Sequence, residues 1–130
     1  MGEFSNFTIL TVLFVSIWII LNAVCQISIK SGIMQIKEIQ EPTSIFDKEN
    51  IFNILSNKMI ILGFILYLIS TVFWFGAMSK LDVSVLSPLG SLIFVLIALL
   101  AFLFLGEKIS PLRWFAIFVI IIGVYLLVKS

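Results

Sequence analysis

The sequence predicts an all-α membrane protein, a bundle of four transmembrane helices with a long first loop, and three observations carry that prediction. Of the 130 residues, 62% are hydrophobic and only 12% are charged. A soluble domain is nearer to roughly half apolar and a quarter charged. The apolar residues gather into four runs, each close to the ~20 residues needed to cross ~30 Å of hydrocarbon. Most of the charge falls between the runs, above all in the connection over residues 30–58.

Each run must be helical, because a lone strand in lipid leaves its backbone groups unpaired. The first covers residues 7–29. It is too long for the apolar core of a signal peptide, and no small-residue cleavage site follows it, so it reads as a retained span. The second covers 59–78 and the third 83–105. The fourth covers 111–128, with Ser110 placed to cap it and Pro111 at the first helical position. Together they make one transmembrane domain over residues 1–130. The links 79–82 and 106–110 are short, which makes the helices they join antiparallel neighbours. In the long loop, Ser44 precedes Ile45, Phe46, Ile51, Phe52 and Leu55, interleaved with Asp47, Lys48 and Glu49. Two readings fit that pattern: a short amphipathic helix on the membrane surface, or a partly ordered loop.

Composition also excludes whole classes of function. The net charge is +1, which points to no nucleic-acid partner, and there is no histidine. Cys25 is the single cysteine, so neither an internal disulfide nor a Cys/His zinc site can form. It lies inside an apolar run, where cysteine behaves as a small hydrophobe. No nucleophile–base pair and no phosphate-cradling glycine loop is present. The sequence therefore predicts no enzyme, no catalytic residue, no metal and no cofactor. Lys30, Lys37, Lys48, Lys58, Lys108 and Arg113 fall at one end of the spans, and Lys80 and Lys129 at the other. The excess of cations places the long loop on the cytoplasmic side.

The polar residues inside the spans are the informative ones, since a Lys or Asp at a helix centre costs about 2.5–3.5 kcal/mol to insert. Asn22, Gln26 and Lys30 follow one another at four-residue steps along one face of the first span, with Trp18 one turn earlier. They read as a polar track for a substrate headgroup, with Lys30 pairing to an anion such as phosphate. The structural alternative has Asn22 and Gln26 bonding across helices and Lys30 snorkelling to the interface. In the second span Gly63, Tyr67, Ser70, Thr71 and Trp74 share a face. Tyr67 and Trp74 can stack on a ligand, while the small residues permit close helix packing. In the third, Ser84, Ser87, Pro88 and Ser91 share a face beside Gly90. Pro88 predicts a kink, with a nearby serine hydroxyl repairing the freed carbonyl. The fourth span offers only Gly123 and Tyr125 and reads as a packing helix. No acid lies deep in any span, since Asp82 and Glu107 stand at span ends.

These residues carry a resemblance. Residues 81–128 read LDVSVLSPLGSLIFVLIALLAFLFLGEKISPLRWFAIFVIIIGVYLLV. The pieces LSPLGS with Pro88, LGEKISPLRW with Glu107 and Pro111, and IIGVYLL with Gly123 resemble the end of the repeat of the drug/metabolite transporter superfamily, EamA type. The first span, with Ala23-Val24-Cys25-Gln26 and then Lys30, is similar to the small-residue, Gln, Lys pattern of that family. Small multidrug resistance proteins share the four-helix plan, and Tyr67 matches a tyrosine of their second helix. They differ in two places. Asn22 stands where those exporters carry a buried glutamate, and Leu86 and Leu89 stand at aromatic substrate positions.

The Gln26–Lys30 pair and Pro88-Leu89-Gly90-Ser91 look instead like the paired four-helix proteins proposed to flip aminoarabinose–undecaprenyl phosphate. The resemblance implies a multi-pass protein of the plasma or inner membrane that flips a lipid-linked sugar or similar membrane lipid. It would work as a homodimer, or as a heterodimer with a similar small membrane protein. The implied substrate residues are Asn22, Gln26, Lys30, Tyr67, Trp74, Ser87, Pro88 and Ser91. The alternatives are export of a small cation or metabolite, and a non-transporting accessory subunit of a membrane glycosyltransferase system.

Overall fold

The computed structural model describes residues 8–37 and 39–130, so Phe7, where the sequence starts the first span, lies outside the described residues. Among the described residues, six α-helices follow one another along the chain. They are α1 (Ile9–Gln35), α2 (Lys48–Ser56, preceded by the 3-10 turn Pro42–Phe46), α3 (Lys58–Met78), α4 (Val83–Leu89), α5 (Ser91–Leu100) and α6 (Pro111–Lys129). A π-helical turn, Ala101–Leu105, continues α5. Among the described residues, four stretches are long and apolar enough to cross a membrane: α1, α3, the run Val83–Leu105, and α6. The chain is thus an all-α, four-span membrane protein.

The first span is longer than its apolar run. Thr8 caps it, its hydroxyl accepting from the Thr11 amide at 3.3 Å. The helix continues past Ile29 to Gln35, because no proline or turn cluster stops it until Ile36 turns extended. Its 27 residues are about 40 Å long, so its last turns project beyond ~30 Å of hydrocarbon.

The first and second spans form the tightest pair. The Ser28 hydroxyl donates to the Met59 carbonyl at 2.7 Å. Gly63 sits so close to α1 that a methyl group there would meet the Ile29 side chain and the Cys25 carbonyl. Close approach through small residues maximises dispersion between membrane helices, whereas one interhelical hydrogen bond averages about 0.6 kcal/mol. The packing therefore supplies the adhesion, and the Ser28 bond sets the register. Asn57 closes the end of the pair. Its side-chain oxygen accepts from the Met59 and Ile60 amides at 3.0 and 3.2 Å, capping α3. Its amide nitrogen reaches back to the Gly32 carbonyl (3.3 Å) and the Gln35 side chain (3.1 Å).

The third span is broken where the sequence predicts a kink. Pro88 lies inside α4, and Gly90 joins α4 to α5 through a tighter turn, its amide shared between the Leu86 and Ser87 carbonyls. The expected repair by serine differs in form. Ser70 and Thr71 bond back to the Tyr67 carbonyl (2.7 and 2.9 Å), but the hydroxyls of Ser87 and Ser91 bond to no described residue. The break is bridged by the backbone instead, through the Gly90 amide. The π turn had no signal in the run Ala101-Phe102-Leu103-Phe104-Leu105; it ends at Gly106, which takes φ 69°.

The fourth span begins as the sequence predicts, with Pro111 in the first turn and the Ser110 hydroxyl accepting from the Arg113 amide at 3.3 Å. It packs on the third span, and none of its residues is buried. The core belongs to the other three. Val15, Trp18, Ile19, Ala23, Ala77, Leu81, Leu86, Leu89 and Ile93 form one buried cluster. Outside it the molecule is lined with exposed Phe, Leu and Ile, while Ser28 and Ser70 are buried. That distribution suits lipid as the solvent.

Candidate functional site

The polar stripes of three spans converge on one cavity of about 400 Å³. The first span contributes Trp18 and Asn22, the second Tyr67, Thr71 and Trp74, and the third Ser87, Gly90, Ser91 and Phe94. The fourth contributes nothing to it. Each group arrives by helical spacing: 18 and 22; 67, 71 and 74; 87, 91 and 94. Trp18 is buried at the base, while Tyr67, Ser87 and Phe94 are exposed at the mouth.

Two contacts shape the interior. The Trp18 and Trp74 ring centroids are 6.5 Å apart with planes inclined at 35°. The tip of the Trp18 ring lies against Gly90, where an added Cβ would stand 3.1 Å from Cη2. Glycine at this position therefore leaves room for the indole tip beside the turn between α4 and α5.

No charged side chain among the described residues lines the cavity. Its polar groups are the Asn22 amide, the hydroxyls of Tyr67, Thr71, Ser87 and Ser91, and the indole N–H groups of Trp18 and Trp74. Gln26 donates from Nε2 to Asn22 Oδ1 at 2.9 Å, which leaves the Asn22 amide hydrogens for a ligand. Thr71 spends its proton on the Tyr67 carbonyl, so its oxygen remains an acceptor. Ser87 and Ser91 keep both functions. The wall thus presents donors and acceptors between aromatic surfaces, with no fixed charge.

The sequence-derived residues divide into three groups. Asn22, Tyr67, Trp74, Ser87 and Ser91 line the cavity. Gln26 stands behind it, bonded to Asn22. Lys30 and Pro88 lie elsewhere. Lys30 is exposed, two turns beyond Asn22 and so about 12 Å along the axis. Its depth is fixed by its neighbours: Ser28 bonds Met59 and the Gly32 carbonyl bonds Asn57, so Lys30 stands level with the start of the second span, at the membrane boundary. Pro88 lines a separate groove of about 260 Å³ with Ser91, Ile120, Gly123, Val124 and Leu127. Only Ser91 touches both spaces. Phe94 is the wall residue that sequence reasoning missed. It lies seven residues after Ser87 on the same face, a spacing that could have found it, but it is hidden in an apolar run.

The fold and the site together define a small multi-pass membrane protein with an uncharged, half-open cavity between its first three spans. The chain belongs to the EamA-like transporter family, whose model matches residues 2–129, and it is accordingly a membrane transporter. No curated protein and no solved structure matches the chain.

Proposed function

We propose that this transporter flips a polyprenyl-phosphate-linked sugar, or a lipid of similar build, between leaflets. The observation that carries the reading is the uncharged cavity wall. Asn22, Thr71, Ser87 and Ser91 offer hydrogen bonds that match hydroxyl groups, and Trp18 and Trp74 offer apolar faces to a sugar ring. A neutral headgroup can shed water there and leave again, since no fixed charge traps it. The mouth at Tyr67 and Phe94 lets a prenyl or acyl tail stay in lipid. Lys30, at the boundary, suits the phosphate that joins tail to sugar. Pro88 acts by bending the third span. The cavity is only half enclosed by one chain, which supports a second copy or a similar small protein as its other wall.

The test is reconstitution of the purified chain alone into liposomes holding a fluorescent polyprenyl-phosphate sugar. Flipping is expected with the native chain, and its loss with Lys30→Met and with Asn22→Leu. Equal flipping by both variants would sink the proposal.

The aromatic lining favours a second reading, export of a small organic cation. Trp18, Tyr67, Trp74 and Phe94 surround the space, and such rings attract cations. Uptake of an organic cation by liposomes holding the chain, without movement of a lipid-linked sugar, would favour this reading; flipping predicts the reverse.

A further inference from the structure

The segment between the first and second spans is built inside out. Its buried position is polar: Asn50 is 2% exposed, and its amide donates to the Ser44 carbonyl at 2.6 Å. Ser44 in turn donates to the Glu41 carbonyl at 2.6 Å. These bonds join the Pro42–Phe46 turn to α2 (Lys48–Ser56) as one folded unit. The large apolar side chains of that unit face outward. Phe46 is 76% exposed, Phe52 71% and Leu55 70%, with Ile45 and Ile51 exposed beside them. A loop folded in water would bury the phenylalanines and expose the asparagine.

From this arrangement we infer that the Pro42–Ser56 unit is an interfacial anchor, seated with Phe46, Phe52 and Leu55 in the headgroup region of an anionic bilayer. Three observations name the bilayer as the occupant. Asn57 alone separates α2 from the second span, and its bonds to Gly32 and Gln35 leave no free linker. The unit is therefore held at the depth where the membrane begins. Within α2, Lys48, Ile51, Phe52 and Leu55 follow the i, i+3, i+4, i+7 pattern of a single face. The ammonium of Lys48 can thus reach lipid phosphate while its stem lies among the apolar side chains. Finally, Lys30, Lys37, Lys58, Lys108 and Arg113 fall at the same end of the spans. With Lys48 they number six against five acids (Glu38, Glu41, Asp47, Glu49 and Glu107) in the same connections, so the draw on lipid phosphate comes from individual cations rather than from net charge. The five outward apolar side chains are too few for a stable protein interface, which takes roughly 20–30 residues a side.

Single-cysteine variants at Phe46, Phe52, Leu55 and Glu49, made in a Cys25→Ala background, test the inference when spin-labelled in phosphatidylglycerol-containing liposomes. The ratio of collision with oxygen to collision with a water-soluble nickel chelate is expected to be several-fold higher at 46, 52 and 55 than at 49. Adding Lys48→Glu should lower that ratio at 52, as should removing phosphatidylglycerol. Free access of the nickel chelate at 52 and 55 would overturn the inference in favour of an aqueous loop. Exclusion of both reagents there would overturn it in favour of a protein partner. Neither result depends on what the cavity carries.

Discussion

Gln26 and Asn22 form a hydrogen-bonded pair in which the Gln26 amide donates at 2.9 Å and only Asn22 reaches the cavity. The glutamine therefore acts through its neighbour, fixing which half of the Asn22 amide a ligand meets. Gln26→Leu should weaken ligand binding by about fivefold, near the ~1 kcal/mol of one neutral hydrogen bond. Asn22→Leu should weaken it further, because the contact itself is lost. Titration of Trp18 and Trp74 fluorescence with a lipid-linked sugar gives both affinities; equal effects would contradict the hierarchy.

Gly90 decides how much room Trp18 leaves. A Cβ at this position would lie 3.1 Å from the indole and 3.0 Å from the Ser87 carbonyl. Gly90→Val should push the ring into the cavity and cut ligand affinity by tenfold or more, with a destabilisation of about 1–3 kcal/mol from overpacking. Emission of Trp18 should shift, while Trp114, packed edge-on against Phe102 at 6.1 Å, should not.

Gly63 and Gly123 provide a matched pair. A methyl at Gly63 meets Ile29 and Cys25, whereas one at Gly123 meets nothing within 4 Å. Gly63→Ala should destabilise the chain by about 1–3 kcal/mol and Gly123→Ala by less than about 0.5 kcal/mol. Unfolding in mixed micelles measures the difference.

Asn57 makes four hydrogen bonds that cap the second span and tie it to the first. Asn57→Ala should cost about 1–2 kcal/mol, the usual loss for an N-cap. Amide exchange at Met59 and Ile60 should accelerate before the rest of the bundle opens.

Lys30 lies outside the cavity, at the membrane boundary, so its attraction for a phosphate is partly screened. Raising salt should weaken binding of a phosphate-bearing lipid to the native chain. The same titration should leave the weaker binding by Lys30→Met nearly unchanged.

The fold was legible where local physics decides it. Apolar run lengths located four spans, Ser110 and Pro111 located the start of the fourth, and Pro88 located the break in the third to within two residues. The stripe spacing brought Asn22, Tyr67, Trp74, Ser87 and Ser91 together, because a helical face is a local property. Lys30 and Pro88 could not be placed in this way. Sharing a face with a wall residue does not fix depth, and the depth of Lys30 comes from its register against the second span. The extension of α1 to Gln35 escaped notice because polar residues end an apolar run without ending a helix. Phe94 escaped because its role depends on Tyr67 and Trp18, which stand on other helices.

The broken third span gives the bundle a mechanical asymmetry. The first two spans are clamped face to face, and the fourth packs chiefly on the third. A rotation of about 10° at Gly90 would carry Leu105, about 22 Å further along the axis, through about 4 Å. The fourth span would ride with it as a lever arm, while the clamped pair held still as the fulcrum. Ser87 and Ser91 stand on opposite sides of that pivot, so the stroke that moves the arm also changes the distance between the two hydroxyls.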